Sequence, residues 1–235
     1  MTSKESESAK FIDLHGHSGP NKTAPIEDLR IYSYSPQIND LPKEGQYFSA
    51  GVHPWRLKEA LNSFEEVKKL CRMESCLMVG EAGLDRAIDS DLATQEKVFR
   101  WHIELANELN KPLIIHNVRC LSEIFRLHKS YPGHTAWVLH DFNGTIKDMN
   151  DCHERRVYTG LGPRFYESSN AKISSTILNN KVDLEYIFFE TDDRRDLEIS
   201  DIYREFAKRQ ELDLADLKEQ IWHNLRRLLG KNLTT

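Results

Sequence analysis

Histidine and acidic residues recur at the ends of apolar segments in this sequence, where they could hold metal ions. Six residues share this position: His15, His17, Glu81, His116, His140 and Asp192. Imidazole and carboxylate groups without a thiolate suit Zn, Mn, Fe or Co, and less often Mg. Two or three such ligands would hold one ion, and all of them together are enough for two ions sharing a carboxylate. Two ions roughly 3.5–4 Å apart can activate water and polarise a phosphoryl or carbonyl oxygen.

The segment His15-Gly16-His17 has a spacing that suits a shared ligand role. At a period of two, both imidazoles point the same way from a strand end, and the glycine lets the backbone pass close to an ion. A lone His-x-His is weak evidence, and the alternative is a set of satisfied polar residues in the core. The other four positions favour metal, because burying four imidazoles and two carboxylates without an ion is costly.

The elements that position these residues alternate between strands and helices. Eight apolar segments are predicted as strands: Phe11–His15, Leu29–Ser35, Gln46–His53, Leu77–Gly83, Pro112–Val118, Ala136–Phe142, Val157–Pro163 and Tyr186–Asp192. Seven segments have helical periodicity: Leu57–Met73, Leu92–Asn110, Cys120–Tyr131, Ile146–Arg155, Ala171–Lys181, Ile199–Arg209 and Asp213–Leu229.

This alternation predicts an α/β protein, a single-domain (β/α)8 TIM-like barrel. No clear helix lies between His17 and Leu29 or between Pro36 and Gln46, so the helices of the first two βα units are predicted to be trimmed or missing. Residues 1–10 are polar and are predicted as a flexible tail, with the barrel over 11–235. Catalytic groups of such barrels come from the carboxyl ends of the strands, so the six residues would meet at one mouth.

Further residues follow the predicted strands and are candidates for substrate binding. They are His53, Arg86, Arg119, Arg164, Arg194 and Arg195. Guanidinium groups grip phosphate bidentately, which favours a phosphate-containing substrate; ordinary solvated loop charge is the alternative. Asp85 follows Glu81 by four residues and could orient a metal ligand or cap the turn.

The composition excludes several classes of protein. With 32 Lys and Arg against 37 Asp and Glu, the net charge is −5, so an overall basic coat for nucleic acid is excluded. No apolar run approaches the ~18 residues that cross a membrane, and the polar N-terminus lacks the apolar segment of a secretory signal. The four cysteines, at 71, 76, 120 and 152, fit no CxxC pattern, which indicates reduced thiols and a cytoplasmic protein.

Taken in order, several segments resemble the motifs of the TatD family of metal-dependent deoxyribonucleases. They are Phe11–His17, Gly51–Pro54, Gly80–Asp85, Ile115–Arg119, His140–Gly144 and Glu190–Asp192, and Gln95, Phe99 and Asn224 also fit the family pattern. The resemblance spans Phe11 to Leu229 and implies a TIM-like barrel with one or two divalent ions. It also implies hydrolysis of phosphodiesters, commonly by a DNA exonuclease.

The resemblance also implies roles for the six predicted ligands. His15, His17 and Asp192 would hold a first ion, and His116 and His140 a second, with Glu81 bridging the two. Asp192 would also be the catalytic base that deprotonates the attacking water. The sequence departs from the family in the short stretch between His17 and Gly51. It also lacks the family's proline and Asn-x-Pro segment after Asp192.

The leading functional hypothesis is a phosphodiester hydrolase that acts at DNA ends. Its cofactors would be one or two Zn, Mn, Mg or Co ions, and its substrate DNA or a short oligonucleotide, with no membrane and no obligate protein partner. An alternative is an amidohydrolase-like enzyme for a small amide, lactone or ester, because the same ions polarise a carbonyl. A third hypothesis, a non-catalytic metal-binding interaction protein, is disfavoured because a decayed site usually loses a ligand.

Overall fold

The computed structural model describes residues 9–17, 28–36, 42–133, 135–167 and 169–230. Eight strands form one sheet in sequence order: β1 Phe11–His17, β2 Asp28–Tyr34, β3 Tyr47–Ala50, β4 Cys76–Asp85, β5 Leu113–Val118, β6 Trp137–Leu139, β7 Val157–Leu161 and β8 Ile187–Phe189. Each strand pairs in parallel with the next. A parallel bridge between Gly16 and Asp192 brings β1 beside β8. The predicted α/β barrel is confirmed as a nearly closed barrel.

Helices follow the later strands and pack around the sheet. They are α1 Ala60–Cys71, α2 Leu92–Leu109, α3 Leu121–Ser130, α4 Ile146–Glu154, α5 Pro163–Glu167, α6 Lys172–Asn179, α7 Ile199–Gln210 and α8 Leu214–Leu229. Two 3₁₀ helices, Pro54–Glu59 and Leu184–Tyr186, precede α1 and β8. None of these helices combines the length and hydropathy that crossing a bilayer requires.

Parts of the predicted organisation lie outside the described residues. The helices predicted to be trimmed or missing would fall largely in residues 18–27 and 37–41, and the predicted tail falls mostly in residues 1–8. Helix α8 begins and ends as the sequence predicts. The Asp213 side chain accepts hydrogen bonds from the backbone N–H groups of Ala215 and Asp216, and Gly230 lies at the helix end.

A buried polar network joins the first two strands to the end of β8. The carboxylate of Asp13 accepts from Arg30 Nε at 2.7 Å, from Thr191 N at 2.9 Å and from Thr191 Oγ1 at 2.8 Å. Just beyond it, Asp192 N donates to His15 O at 3.0 Å and His17 N donates to Asp192 O at 2.8 Å. These bonds between β1 and the segment after β8 therefore fix the backbone at the carboxyl ends of both strands.

Histidine 102, on the apolar side of α2, ties the helix to the segment after β3. Its Nε2 accepts a hydrogen bond from the buried Val52 N at 3.0 Å, and its Nδ1 lies 2.9 Å from Val98 O. Burial lowers the pKa of His102 to about 4, so the ring is neutral, with Nδ1–H as donor and Nε2 as acceptor. The side chain holds the backbone immediately before His53.

We expect His102→Leu to lower the free energy of unfolding by about 1–3 kcal/mol, because the buried N–H of Val52 loses its partner. Urea unfolding followed by circular dichroism measures this change. His223→Leu, which replaces an exposed histidine on α8, is the matched control and should leave the midpoint unchanged. Equal midpoints for both variants would show that the bond to Val52 contributes nothing.

Candidate metal centre

Glu81, on β4, is buried at the carboxyl ends of the strands and faces two sets of side chains. On one side, its Oε2 lies 3.4 Å from His15 Nε2 and 3.6 Å from His17 Nε2. Asp192 Oδ1 lies 3.7 Å and 3.4 Å from the same two nitrogens. The two carboxylates and the two imidazoles of β1 thus surround one point.

On its other side, Glu81 contacts three further histidines. Its Oε1 lies 3.1 Å from His53 Nε2, 3.0 Å from His116 Nδ1 and 2.7 Å from His140 Nε2. His116 Nδ1 is also 3.2 Å from His53 Nε2 and 3.3 Å from His140 Nε2. One carboxylate therefore faces a separate set of imidazoles with each of its oxygens, which is the arrangement that a bridging ligand requires.

The first set fits a divalent cation better than a set of hydrogen bonds. His15 is fully buried, yet neither of its ring nitrogens has a hydrogen-bond partner. Ligand atoms about 2.1 Å from a tetrahedral ion lie about 3.4 Å from one another, close to the separations found around His15 Nε2. Hydrogen bonds would be shorter.

In the second set, His53, His116 and His140 lie closer to the Glu81 carboxylate than the histidines of the first set do. These separations are those of hydrogen bonds from imidazole N–H groups to a carboxylate. A cation there would displace the shared protons, as metal binding to histidine does in general. Groups of three ligand atoms within 4.8 Å of one another occur on both sides of Glu81: His15, His17 and Glu81; His15, His140 and Asp192; and His53, Glu81 and His116. The residues present therefore fit one or two divalent ions.

The charges of this cluster favour ionised carboxylates. Burial raises the pKa of Glu81, but the charge of His140 and hydrogen bonds from His116 and His140 hold it well below its usual range. For Asp192, burial likewise raises the pKa, and the hydrogen bond from His17 with the charge of His140 lowers it to about 2. Both carboxylates are thus in the form that binds metal at neutral pH.

Two further carboxylates contact the ring nitrogens of His116 and His140 that point away from Glu81. Asp85 Oδ2 lies 3.1 Å from His116 Nε2, and Asp85 Oδ1 accepts from Ala87 N at 2.8 Å, so the side chain both orients a ring and caps a turn. Glu190, fully buried, lies 3.4 Å from His140 Nδ1 and accepts from the Asp141 backbone N at 2.5 Å.

Sequence analysis placed Glu190 in the Glu190–Asp192 motif but assigned it no role beside His140. Glu190 stands two residues before Asp192, and that strand-like spacing was the available signal. Gly160 on β7 makes room for it, because a Cβ there would collide with the Glu190 carboxylate.

The structure brings all six predicted ligands together, and it adds His53, predicted as a substrate contact, to the second set. All of these residues except the fully buried His15 line a cavity of about 630 Å³, a size typical of small-ligand sites. Trp55 and Arg56, which sequence analysis did not single out, also line this cavity. The roles of the individual residues in binding metal stay predictions.

The predicted substrate arginines divide into two groups. Arg164, Arg194 and Arg195 line the cavity. Arg164 Nε lies 2.5 Å from Asp141 Oδ2, and Arg194 pairs with Glu167.

Arg86 and Arg119, predicted as substrate contacts, are not among the residues that line this cavity, and their role in binding substrate stays a prediction. Arg86 pairs with Glu123 on α3 and donates to the Arg119 carbonyl at 3.2 Å. The acidic residue of α3 therefore holds the Arg86 side chain beside that helix.

Histidines and carboxylates cluster here at the carboxyl ends of the barrel strands. This arrangement is typical of barrel enzymes that use a metal centre for catalysis. The family model described as TatD related DNase matches residues 31–230. The chain belongs to the TatD family.

Curated relatives agree with this assignment. The chain is 29% identical over 155 residues to an uncharacterized metal-dependent hydrolase of Buchnera aphidicola, over 62% of this chain and 58% of that protein. It is 31% identical over 121 residues to the 3'-5' ssDNA/RNA exonuclease TatD of Citrobacter koseri, over 48% of this chain and 45% of that protein. The chain thus spans about half the length of these relatives.

The fold matches the TatD homologue YjjV of Escherichia coli K12 with a TM-score of 0.78 at 19% identity, covering 94% of this chain and 98% of that one.

Proposed function

We propose that this protein is a divalent-metal-dependent phosphodiesterase that removes nucleotides from the ends of DNA or short oligonucleotides. The observation that carries the proposal is the position of Glu81, whose two carboxylate oxygens face separate sets of imidazoles. Membership of a family described as DNases supports the reaction class, as does the relative named as a single-strand exonuclease. We place the protein in the cytoplasm, where its buried cysteines would stay reduced.

The charges around the cavity favour a phosphodiester over an amide or lactone. Four arginines line it: Arg56, Arg164, Arg194 and Arg195. Arg164 and Arg194 are paired with carboxylates, whereas no acidic side chain among the described residues forms an ion pair with Arg56 or Arg195. Guanidinium groups at the mouth can bind phosphate oxygens bidentately, whereas a neutral amide offers them only one carbonyl acceptor and no charge.

Asp192 and Glu81 would have different roles in the hydrolysis. When bound, divalent ions lower the pKa of water and offset the charge of the phosphate. Asp192 is one-fifth exposed, lines the cavity and is ionised, so it can accept a hydrogen bond from the attacking water and orient it. A carboxylate of such low pKa is a weak base, which makes positioning a large part of its role. Glu81 would contact both sets of histidines and so fix the position of one set relative to the other.

The size of the cavity and the net charge of the chain favour attack at ends. The cavity of about 630 Å³ accommodates a small ligand rather than a length of duplex, and the net charge of −5 leaves no basic coat to track DNA. We therefore expect contact with only about two or three phosphates, and a rate that falls shallowly with salt.

The test is hydrolysis of three labelled DNA substrates with Mn at two salt concentrations: a single strand, a duplex and a closed circle. We expect stepwise loss of nucleotides from one end of the single strand, slower attack on the duplex and an intact circle. Cutting of the circle would refute end recognition. Turnover of an amide or lactone, without cleavage of any DNA, would establish the alternative hydrolase instead.

A further inference from the structure

Trp55 is an exposed aromatic side chain at the mouth of the candidate metal centre. Its exposed fraction is 64%, against 0% for the buried Trp137 of the barrel wall. The other large exposed apolar residues among those described are aliphatic: Met73, Leu178 and Leu212. An indole offers a large apolar face with a polar N–H at its edge, so its place beside the candidate centre suits a ligand with an apolar face.

The structure fixes the orientation of this indole. Trp55 Nε1 donates to Asp85 Oδ2 at 2.7 Å, and the Trp55 backbone N donates to His53 Nδ1 at 3.2 Å. The indole packs edge-to-face on His53, with ring centroids 4.9 Å apart and planes at 83°. A ring held at its N–H and packed on a neighbour loses little entropy when a ligand stacks on it.

The position of the ring relates it directly to the candidate metal centre. The centroid of Trp55 lies 6.1 Å from that of His116, one of the imidazoles around Glu81. Asp85 contacts both Trp55 and His116, so the ring and the centre share one support. In a nucleotide only the sugar separates the phosphate from its base, so Trp55 is within reach of the base of a nucleotide whose phosphate lies at the centre.

We propose that Trp55 is a stacking platform for the nucleobase adjacent to the phosphate that is cut. This inference rests on the proposed function. Every base has a π face, so stacking tolerates any sequence, but it requires an unpaired base. The platform therefore selects single-stranded ends and favours purines, which offer the larger face. The neighbouring Arg56 lines the same cavity and would bind the phosphate backbone.

The activity test compares two single-stranded oligonucleotides that differ only in the nucleotide to be released, which is either dA or an abasic analogue. We expect kcat/KM to be about tenfold higher for the dA end in the wild type. Trp55→Ala should reduce this ratio to below about threefold. Trp55→Phe keeps an aromatic ring but loses the N–H bond to Asp85, and should retain most of the ratio. Leu178→Ala removes an exposed apolar side chain of α6 and should leave the ratio unchanged.

A binding test needs no turnover. Adenosine monophosphate, which has no diester bond to cut, should quench part of the intrinsic tryptophan fluorescence when it is added to the metal-loaded enzyme. That part should be missing from Trp55→Phe, which keeps the other three of the four tryptophans. Ribose phosphate, which has the charge without the base, is the matched ligand control and should not quench.

The outcomes separate this inference from the proposed function. Hydrolysis of both ends at equal rates, with no quenching, would overturn the platform and leave the phosphodiesterase standing. Quenching by the nucleotide without hydrolysis of any oligonucleotide would support the platform and overturn the proposed reaction. An equal loss of kcat/KM on both ends in Trp55→Phe and Trp55→Ala, with the ratio unchanged, would assign Trp55 to positioning Asp85 and overturn stacking.

Discussion

Removal of divalent ions is expected to abolish turnover, and this is one of the two largest effects that the site predicts. After dialysis against EDTA, hydrolysis should fall to the uncatalysed background, and Mn, Co or Zn should restore it. The reason is that the carboxylates and imidazoles that line the cavity suit divalent ions, which lower the pKa of bound water and so supply the nucleophile. Metal content, measured by mass spectrometry alongside the rate, should rise and fall with activity.

Thermal unfolding supplies a control for this experiment. Ions that bind only the folded chain should raise its melting temperature, so reloaded protein should be more stable than the chelated form. An unchanged fold with lost activity would place the effect at the site rather than in the scaffold. Full activity in excess EDTA, after extensive dialysis, would exclude the metallohydrolase.

The sequence located the candidate centre well where strands are long and apolar. His15 lies within β1, Glu81 within the fully buried β4 and His116 within β5, as the predicted strands imply. For those strands, the apolar pattern and the order of elements are enough, because parallel neighbours bring their carboxyl ends to one edge.

The last strands show where local pattern stops being sufficient. Ala136–Phe142 and Tyr186–Asp192 were predicted as strands, but β6 covers Trp137–Leu139 and β8 covers Ile187–Phe189. The chain leaves the sheet through residues with positive φ, 43° at Asp141 and 50° at Asp192. Apolar alternation carries no signal for that conformation, which the surrounding bonds impose.

Side-chain direction in the loops was also beyond the sequence. Arg86 turns toward Glu123 because α3 supplies the carboxylate, and Trp55 turns toward Asp85 because β4 ends beside it. These partners lie 37 and 30 residues away along the chain. Only the folded barrel decides which arginines reach the mouth and which aromatic ring borders it.

The Asp192→Asn variant is expected to lower kcat by about 100-fold or more while the fold stays intact. The amide has nearly the same size and keeps one acceptor oxygen, but it cannot take a proton or carry the charge that His17 and His140 now stabilise. Asparagine also tolerates the positive φ of this position, so the backbone bonds to His15 and His17 should survive. Steady-state kinetics with Mn measures the loss, and circular dichroism with urea unfolding checks the fold.

Asp193→Asn is the matched control, because it removes the same charge from the next residue of the same cavity. We expect it to retain kcat within about threefold, because an exposed charge contributes little through water. Metal content divides the two roles proposed for Asp192. Loss of kcat with the ions retained would assign the residue to orienting and deprotonating water, whereas loss of ions together with kcat would assign it chiefly to holding metal. Near-normal turnover by Asp192→Asn would remove it from both roles and leave His53, whose Nε2 lies 3.1 Å from Glu81, as the next candidate for the base.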